Sequence, residues 1–348
     1  MPCLTRSPVS SAPTSSRVAS APASGEDSLI ARYFKPIATD AGAFALNDDA
    51  AVLKAQGADI VVTTDAVVEG VHFLPDDPPG TVARKALRVN LSDLAAKGAT
   101  PAGFVLTLAL RSADDSWLKP FAAALGEDAK SHACPLLGGD TVSTPGPLTI
   151  SVTAFGRVPA GKMVHRSGAR PGDRVVVTGT IGDAALGLDI LKGGAVATAL
   201  VGDEAARQML VGRYRVPQPR NALAIAIRDY ASAAMDVSDG LAGDLTKLCA
   251  ASDVSAAIHA PGIPLSRPAA ALVANRTVGI DRLITGGDDY EILCTVPEAD
   301  FDAFSQQARK AGVAVTPIGA VIAGSAIPSF LDERGRELAL TRRSWSHF

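Results

Sequence analysis

Three consecutive stretches decide the fold: Ile60–Asp65 (IVVTTD), Val82–Lys97 (VARKALRVNLSDLAAK) and Phe104–Leu110 (FVLTLAL). Ile60–Thr64 of the first, bounded by Gly57 and Asp65, and the whole of the third are short and β-rich and read as strands. The middle one carries Leu87, Leu91, Leu94 and Ala95 at helical spacing, with Gly98 and Pro101 as stop signals, and reads as a helix. Working outward, Trp117–Lys130 is a second helix and Leu148–Arg157 another strand. Pro159, Gly161, Gly168, Pro171 and Gly172 then punctuate a connection. Beyond it the style repeats. Val175–Thr178 and Glu291–Val296 read as strands. One helical stripe runs through Ile181, Ala184, Ala185, Leu188 and Leu191 to Gly193-Gly194, and another through Leu241, Leu245, Leu248 and Cys249. The expected architecture is an α+β chain of α/β type in two domains. An N-terminal mixed sheet with helices on one face is followed by a larger C-terminal α/β domain. The expected boundaries are 1–25 for a disordered tail rich in Ser, Ala and Pro, 26–158 for the first domain, and 159–348 for the second.

Composition excludes several classes. With 348 residues and a net charge of −3, the chain is large enough for its own core and is no general binder of polyanions. Cys3, Cys134, Cys249 and Cys294 stand far apart without a C-x-x-C, so neither a zinc ribbon nor a disulfide framework is suggested, and a cytoplasmic location is expected. The apolar run Phe104–Leu110 is far shorter than the ~20 residues of a spanning helix.

The chemistry lies in the aspartates. Apolar runs lead repeatedly into small residues and then acid: Thr63-Thr64-Asp65, Gly138-Gly139-Asp140, Asp236-Val237-Ser238-Asp239 and Gly286-Gly287-Asp288-Asp289. Asn47-Asp48-Asp49 and the helical Asp93 add to the set. Each alone reads as turn chemistry at a strand end, and Asp93 also stands one helical turn before Lys97. Together they ask for a counter-charge, because two carboxylates ~4 Å apart repel by about 4 kcal/mol at an effective dielectric near 20. An all-oxygen set without His or Cys spacing favours Mg²⁺, which usually shares its shell with phosphates. No P-loop and no protein-kinase signature occurs. Gly179-Thr180-Ile181-Gly182 at a strand-to-helix turn offers N–H groups to a phosphate, and Arg166 a guanidinium, with a structural turn and a solvated arginine as the competing readings.

In combination these segments resemble the thiamine-monophosphate kinase family of the aminoimidazole-ribonucleotide-synthetase-like ATP-binding superfamily. The likeness runs from Ser28-Leu29-Ile30 to the ending Trp345-Ser346-His347-Phe348 and includes Gly70-Val71-His72-Phe73-Leu74, Asn90-Leu91-Ser92-Asp93 and Arg166-Ser167-Gly168. It implies ATP-dependent phosphorylation of thiamine monophosphate to thiamine diphosphate, with several Mg²⁺ ions, no covalent enzyme intermediate, and a homodimer. By the same resemblance Asp49, Thr63, Thr64, Asp65, Asp93, Asp140, Asp236 and Asp239 would serve metal, and Gly139, Asp140, Arg166 and Ser238 ATP. His72, Asp288 and Trp345 would serve the thiamine phosphate, with the Trp345 ring suited to stack on a cationic thiazolium. The pattern departs at Asn47, where the family usually has Gly, and at Asp288, where it often has Glu. Other ATP-using members of the superfamily, of the aminoimidazole ribonucleotide synthetase or selenophosphate synthetase type, and a non-catalytic nucleotide-binding regulator stay open. The selenophosphate synthetase type is weakened because the only cysteine near the start is Cys3, inside the expected tail.

Overall fold

The computed structural model describes residues 29–40, 43, 55, 57–340 and 344. Asn47, Asp48, Asp49 and Trp345 lie outside the described residues.

The first half is built on β1 (Ala58–Val68), α1 (Pro79–Ala96), β2 (Thr100–Leu110), α2 (Asp115–Ser131), β3 (Leu136–Ser143) and β4 (Thr149–Pro159). Its sheet runs in the order β1-β4-β2-β3, antiparallel except for the parallel pair β2 and β3. Alternation sets the two faces. Phe104, Leu106 and Leu108 of β2 and Ile150, Val152 and Ala154 of β4 are buried in one core with Leu87, Leu91 and Leu94 of α1 and Phe121 and Leu125 of α2. The opposite face leaves Val62 and Val142 exposed. Both helices thus cover one face of a mixed sheet, as expected.

The second half contains β5 (Arg174–Thr178), α3 (Asp183–Leu191), α4 (Ala195–Ala199), α5 (Glu204–Arg215), α6 (Ala224–Tyr230), β6 (Ala233–Asp236), α7 (Leu241–Ser252), β7 (Ser255–His259), α8 (Arg267–Ala274), α9 (Ile280–Ile284), β8 (Ile292–Val296), α10 (Phe301–Lys310), β9 (Val315–Ile322) and β10 (Ser329–Leu331). Its six-stranded sheet has the order β10-β7-β9-β5-β8-β6, with β10 and β7 parallel and the other pairs antiparallel.

Helix α1 lies between the halves. Pro79 occupies its first turn, where a missing N–H costs nothing. It ends in a Schellman arrangement, with Gly98 N–H on the Ala95 carbonyl and Ala99 N–H on the Leu94 carbonyl, and Gly98 at φ +68°. One face packs on the first sheet, while Ala95 and Ala96 join Val176, Ile227, Ala234, Ile292 and Cys294 of the second half. Side chains tie down the rest: Asn221 Nδ2 donates to the Leu91 carbonyl at 2.9 Å and Arg88 Nη1 to the Pro217 carbonyl at 2.9 Å. With both sides engaged, α1 buries Lys85, Asn90 and Ser92 as well as its apolar residues.

Two local expectations change. Asp65 and Asp140 do not end strands; β1 continues to Val68 and β3 to Ser143, because pairing with β4 and β2 carries them on. At Gly139 β3 comes so close to β2 that a Cβ would sit 1.8 Å from the Leu106 carbonyl oxygen.

Candidate functional site

The site forms where β1, α1 and β6 meet. Thr63 and Asp65 are two apart on β1 and point to the helix-covered face. Thr63 Oγ1 donates to Asp93 Oδ2 at 2.5 Å, and the Asp65 N–H donates to Asn90 Oδ1 at 3.1 Å, so β1 is stitched to α1 at this point. Asp236 ends β6 and is buried.

These three carboxylates feel one another. Asp65 keeps one side open to solvent, but protein on the others desolvates it, and with the charges of Asp93 and then Asp239 this raises its pKa to about 6. Burial also lifts Asp93, against the pull of Thr63, Lys97 and Arg166. Asp236 stands well above the ordinary carboxylate range, first from burial and then from Asp93 and Asp65, with Ser92 opposing. Lys97 is depressed by burial and by neighbouring Arg166, and raised by Asp236 and Asp93. Its Nζ donates to the Ala234 carbonyl at 2.7 Å, which draws it from the helix surface into the site. From its spacing alone Lys97 is only a helical partner of Asp93. The spacing gave no sign of β6, which supplies the carbonyl.

Asp239 sits on the loop after β6. Its carboxylate takes the Lys247 ammonium at 2.5 Å, while the Ser238 and Asp239 N–H groups donate to Asp244 Oδ2 at 3.1 and 3.0 Å. The loop at 286–290 lies against it: Asp288 N–H donates to the Ser238 carbonyl and Tyr290 N–H to the Val237 carbonyl, both at 2.8 Å. Only glycine suits Gly287, where a Cβ would stand 2.5 Å from the Ser238 oxygen. Asp288 has φ +71° and carries its side chain toward α1. His72 follows β1, and its Nδ1 accepts the Val68 N–H at 3.1 Å. In the neutral ring the proton then sits on Nε2.

The expected set does not all gather. Register pairs Asp140 with Thr107, whose neighbours Leu106 and Leu108 face the helices, so Asp140 projects from the opposite face of the sheet. Thr64 projects there too, its Oγ1 2.9 Å from Thr153 Oγ1. Among the described residues, no three His, Cys, Asp or Glu side chains form a closed metal-holding group. A cavity lined by Pro36, Ile37, Gly126 and Ala133 contains Asp40 but none of the candidate residues.

Other acids prove to be scaffold. Asp289 is buried and accepts the Gly182 and Ala184 N–H groups at 2.8 and 3.4 Å, so it tethers the start of α3. With the Ile181 N–H on the Pro264 carbonyl and the Gly179 N–H on the Ala314 carbonyl, three donors of the 179–182 turn are used internally, and its phosphate reading gives way to the structural one. Cys134, Cys249 and Cys294 are buried, and burial pushes their thiols up to about 12, 11 and 12.

Two family models span this architecture: AIR synthase related protein, N-terminal domain, over residues 47–158, and AIR synthase related protein, C-terminal domain, over residues 170–330. The thiamine-monophosphate kinase of Caulobacter vibrioides is 43% identical over 324 residues, covering 91% of this chain and 89% of the relative. The chain belongs to the thiamine-monophosphate kinase family. The family's member from Escherichia coli K12 is 39% identical, over 94% of this chain and 99% of the relative. Among solved structures, the thiamine-monophosphate kinase of Stenotrophomonas maltophilia superposes with a TM-score of 0.75 at 36% identity, over 84% of this chain and 91% of that one. AaThiL complexed with AMPPCP and TMP gives 0.72 at 30% identity, over 86% and 91%. The hydrogenase maturation protein HypE in complex with ATP shares the fold at 19% identity.

Proposed function

We propose that this member of the thiamine-monophosphate kinase family transfers the terminal phosphoryl group of ATP to thiamine monophosphate, giving thiamine diphosphate and ADP. The observation that carries the reading is the incompletely neutralised set Asp65, Asp93 and Asp236, held a short loop away from His72 and Asp288. It agrees with the names of the relatives and with the AMPPCP and TMP complex of AaThiL.

The donor set suits Mg²⁺: every group is an oxygen, and no imidazole or thiol faces Asp65, Asp93 or Asp236 in the interactions that perturb them. Asp65, Asp93, Asp236 and Thr63 would hold it, with Asp239 at the margin. A closed protein cage is not required, because Mg²⁺ keeps waters and borrows phosphate oxygens. Bound there, it supplies charge neutralisation to the phosphates being brought together. Arg166, whose charge already reaches Asp93, supplies a guanidinium for ATP oxygens. Ser238 holds the same nucleotide edge. The His72 Nε2–H donates to the thiamine phosphate, and the Asp288 carboxylate lines the same pocket. The acceptor is an ionised phosphate oxygen, so these residues align and screen the reactants and take no proton.

Asp49, Gly139, Asp140, Thr64 and Trp345 complete the proposed set by resemblance. Thr64 and Asp140 share the outer sheet face with Val62 and Val142, 57% and 43% exposed, and we expect this face to meet a second copy in a homodimer. No helix among the described residues is long and apolar enough to cross a membrane, and a cytoplasmic location is proposed.

The test is direct. Purified protein with ATP, thiamine monophosphate and MgCl₂ is expected to yield thiamine diphosphate and ADP in equal amounts by chromatography. ATP binding without thiamine diphosphate in a single-turnover experiment would favour the non-catalytic regulator.

A further inference from the structure

We propose that Lys85 is a positioning residue for thiamine monophosphate: from the core, it fixes the His72 loop and the Asp288 carboxylate relative to each other. The inference rests on the functional reading above.

Lys85 lies on α1, 2% exposed. Its Nζ donates to the His72 carbonyl at 2.8 Å and to Asp288 Oδ2 at 3.0 Å, and stands 3.9 Å from the centre of the Tyr214 ring. An ammonium has three N–H bonds and no acceptor; here two oxygens and one aromatic face receive it. Tyr214 Oη reaches the same His72 carbonyl at 3.3 Å. One buried cation therefore joins a loop of the first half to a loop of the second, with Asp288 standing 203 residues beyond Lys85 in sequence.

The two groups it joins are the two described residues assigned to the thiamine phosphate. Packing alone would be served as well by an apolar side chain, which has no desolvation to overcome. What an apolar residue cannot do is hold a carbonyl and a carboxylate at fixed points. Asp288 needs such a hold. Its backbone is left-handed at φ +71°, unusual outside glycine, and its side chain is one methylene shorter than the Glu often found in the family. Oδ2 is taken by Lys85, and the side chain remains 24% exposed, so the carboxylate still has a side open to a ligand. Lys85 itself is too buried to meet one. It acts through Asp288 and the His72 loop.

The experiment compares wild-type, Lys85→Met, Asp288→Asn and the double variant in steady-state kinetics with Mg²⁺ and both substrates. Lys85→Met is expected to raise KM for thiamine monophosphate at least tenfold while KM for ATP stays within about twofold. In the Asp288→Asn background the same substitution is expected to add less than threefold. An unchanged KM for thiamine monophosphate, equal rises for both substrates, or full additivity in the double variant would overturn the assignment. If Lys85→Met does not fold, Lys85→Gln carries the test, because its amide is uncharged and one bond shorter than the ammonium and so loosens the hold on the two oxygens; at least a threefold rise confined to thiamine monophosphate is expected, and no rise overturns it. Absence of turnover by the wild-type chain would overturn the functional reading and this inference with it, whereas normal wild-type turnover with an unmoved KM in the variants overturns this inference alone.

Discussion

The molecule holds two knots of buried or half-buried acids, built on opposite principles. Around the start of α3, Glu291 is fully buried and shared by Arg213 and Arg220, with Thr178 Oγ1 donating at 2.5 Å; Asp289 caps Gly182, and Asp183 accepts from Ser266 and Thr180. Between β1, α1 and β6, burial raises Asp65, Asp93 and Asp236, and the charge of Asp93 adds to the rise of the other two, with Lys97 and Arg166 as the nearby cations. Acids of the first knot have their partners within the chain. Those of the second stay partly unanswered, a costly condition for a folded protein unless a ligand supplies the missing charge. Counting acids near turns therefore does not locate a site; counting the donors each acid already owns does.

The sharpest break of this contrast is Asp65→Asn. It is expected to lower kcat by about 10³-fold, as losing a residue that holds charge at the reacting phosphates should, while the thermal midpoint holds steady or rises as repulsion is relieved. Turnover within tenfold of wild type would remove Asp65 from the reacting set. The complementary change, Glu291→Gln, leaves two half-buried guanidinium groups short of a charge partner and is expected to lower stability by about 3 kcal/mol. Urea unfolding checks it, and a loss below about 1 kcal/mol would show that this knot is not the scaffold it appears in its hydrogen bonds.

Much of the frame was legible in the sequence. The stripe of Leu87, Leu91 and Leu94 and the stop at Gly98 define α1 within a few residues, because period and cap are local signals. The acids were legible as a group, but their sorting was not. Asp288 and Asp289 are neighbours in the chain; one turns toward α1 and the other into a helix start, a choice set by the left-handed backbone at Asp288. Asp140 looked equivalent to Asp65, yet strand register puts it on the other face. Lys85 gave no signal, since a lysine on a helix reads as solvated until the second half packs over it.

The smallest effect concerns pH. Asp65 titrates near 6 in the folded chain and near 4 when unfolded, so the native state binds the extra proton between those values. Without divalent cations, the thermal midpoint should fall as pH rises from 4 to 6, through this group's contribution. MgCl₂ should raise it more at pH 7 than at pH 5, and Asp65→Asn should flatten both trends. A midpoint that climbs through the same window in wild type and variant alike would place Asp65 among the satisfied acids.

Helix α1 has one side in each half of the molecule, so the halves cannot separate like covers on a spine without stripping its contacts. Its central amides, around Leu91 and Leu94, are buried from both directions. In deuterium they should be among the last to exchange, opening only when the whole chain opens. Motion that admits a substrate must then come from loops at the rim, with this axle left still.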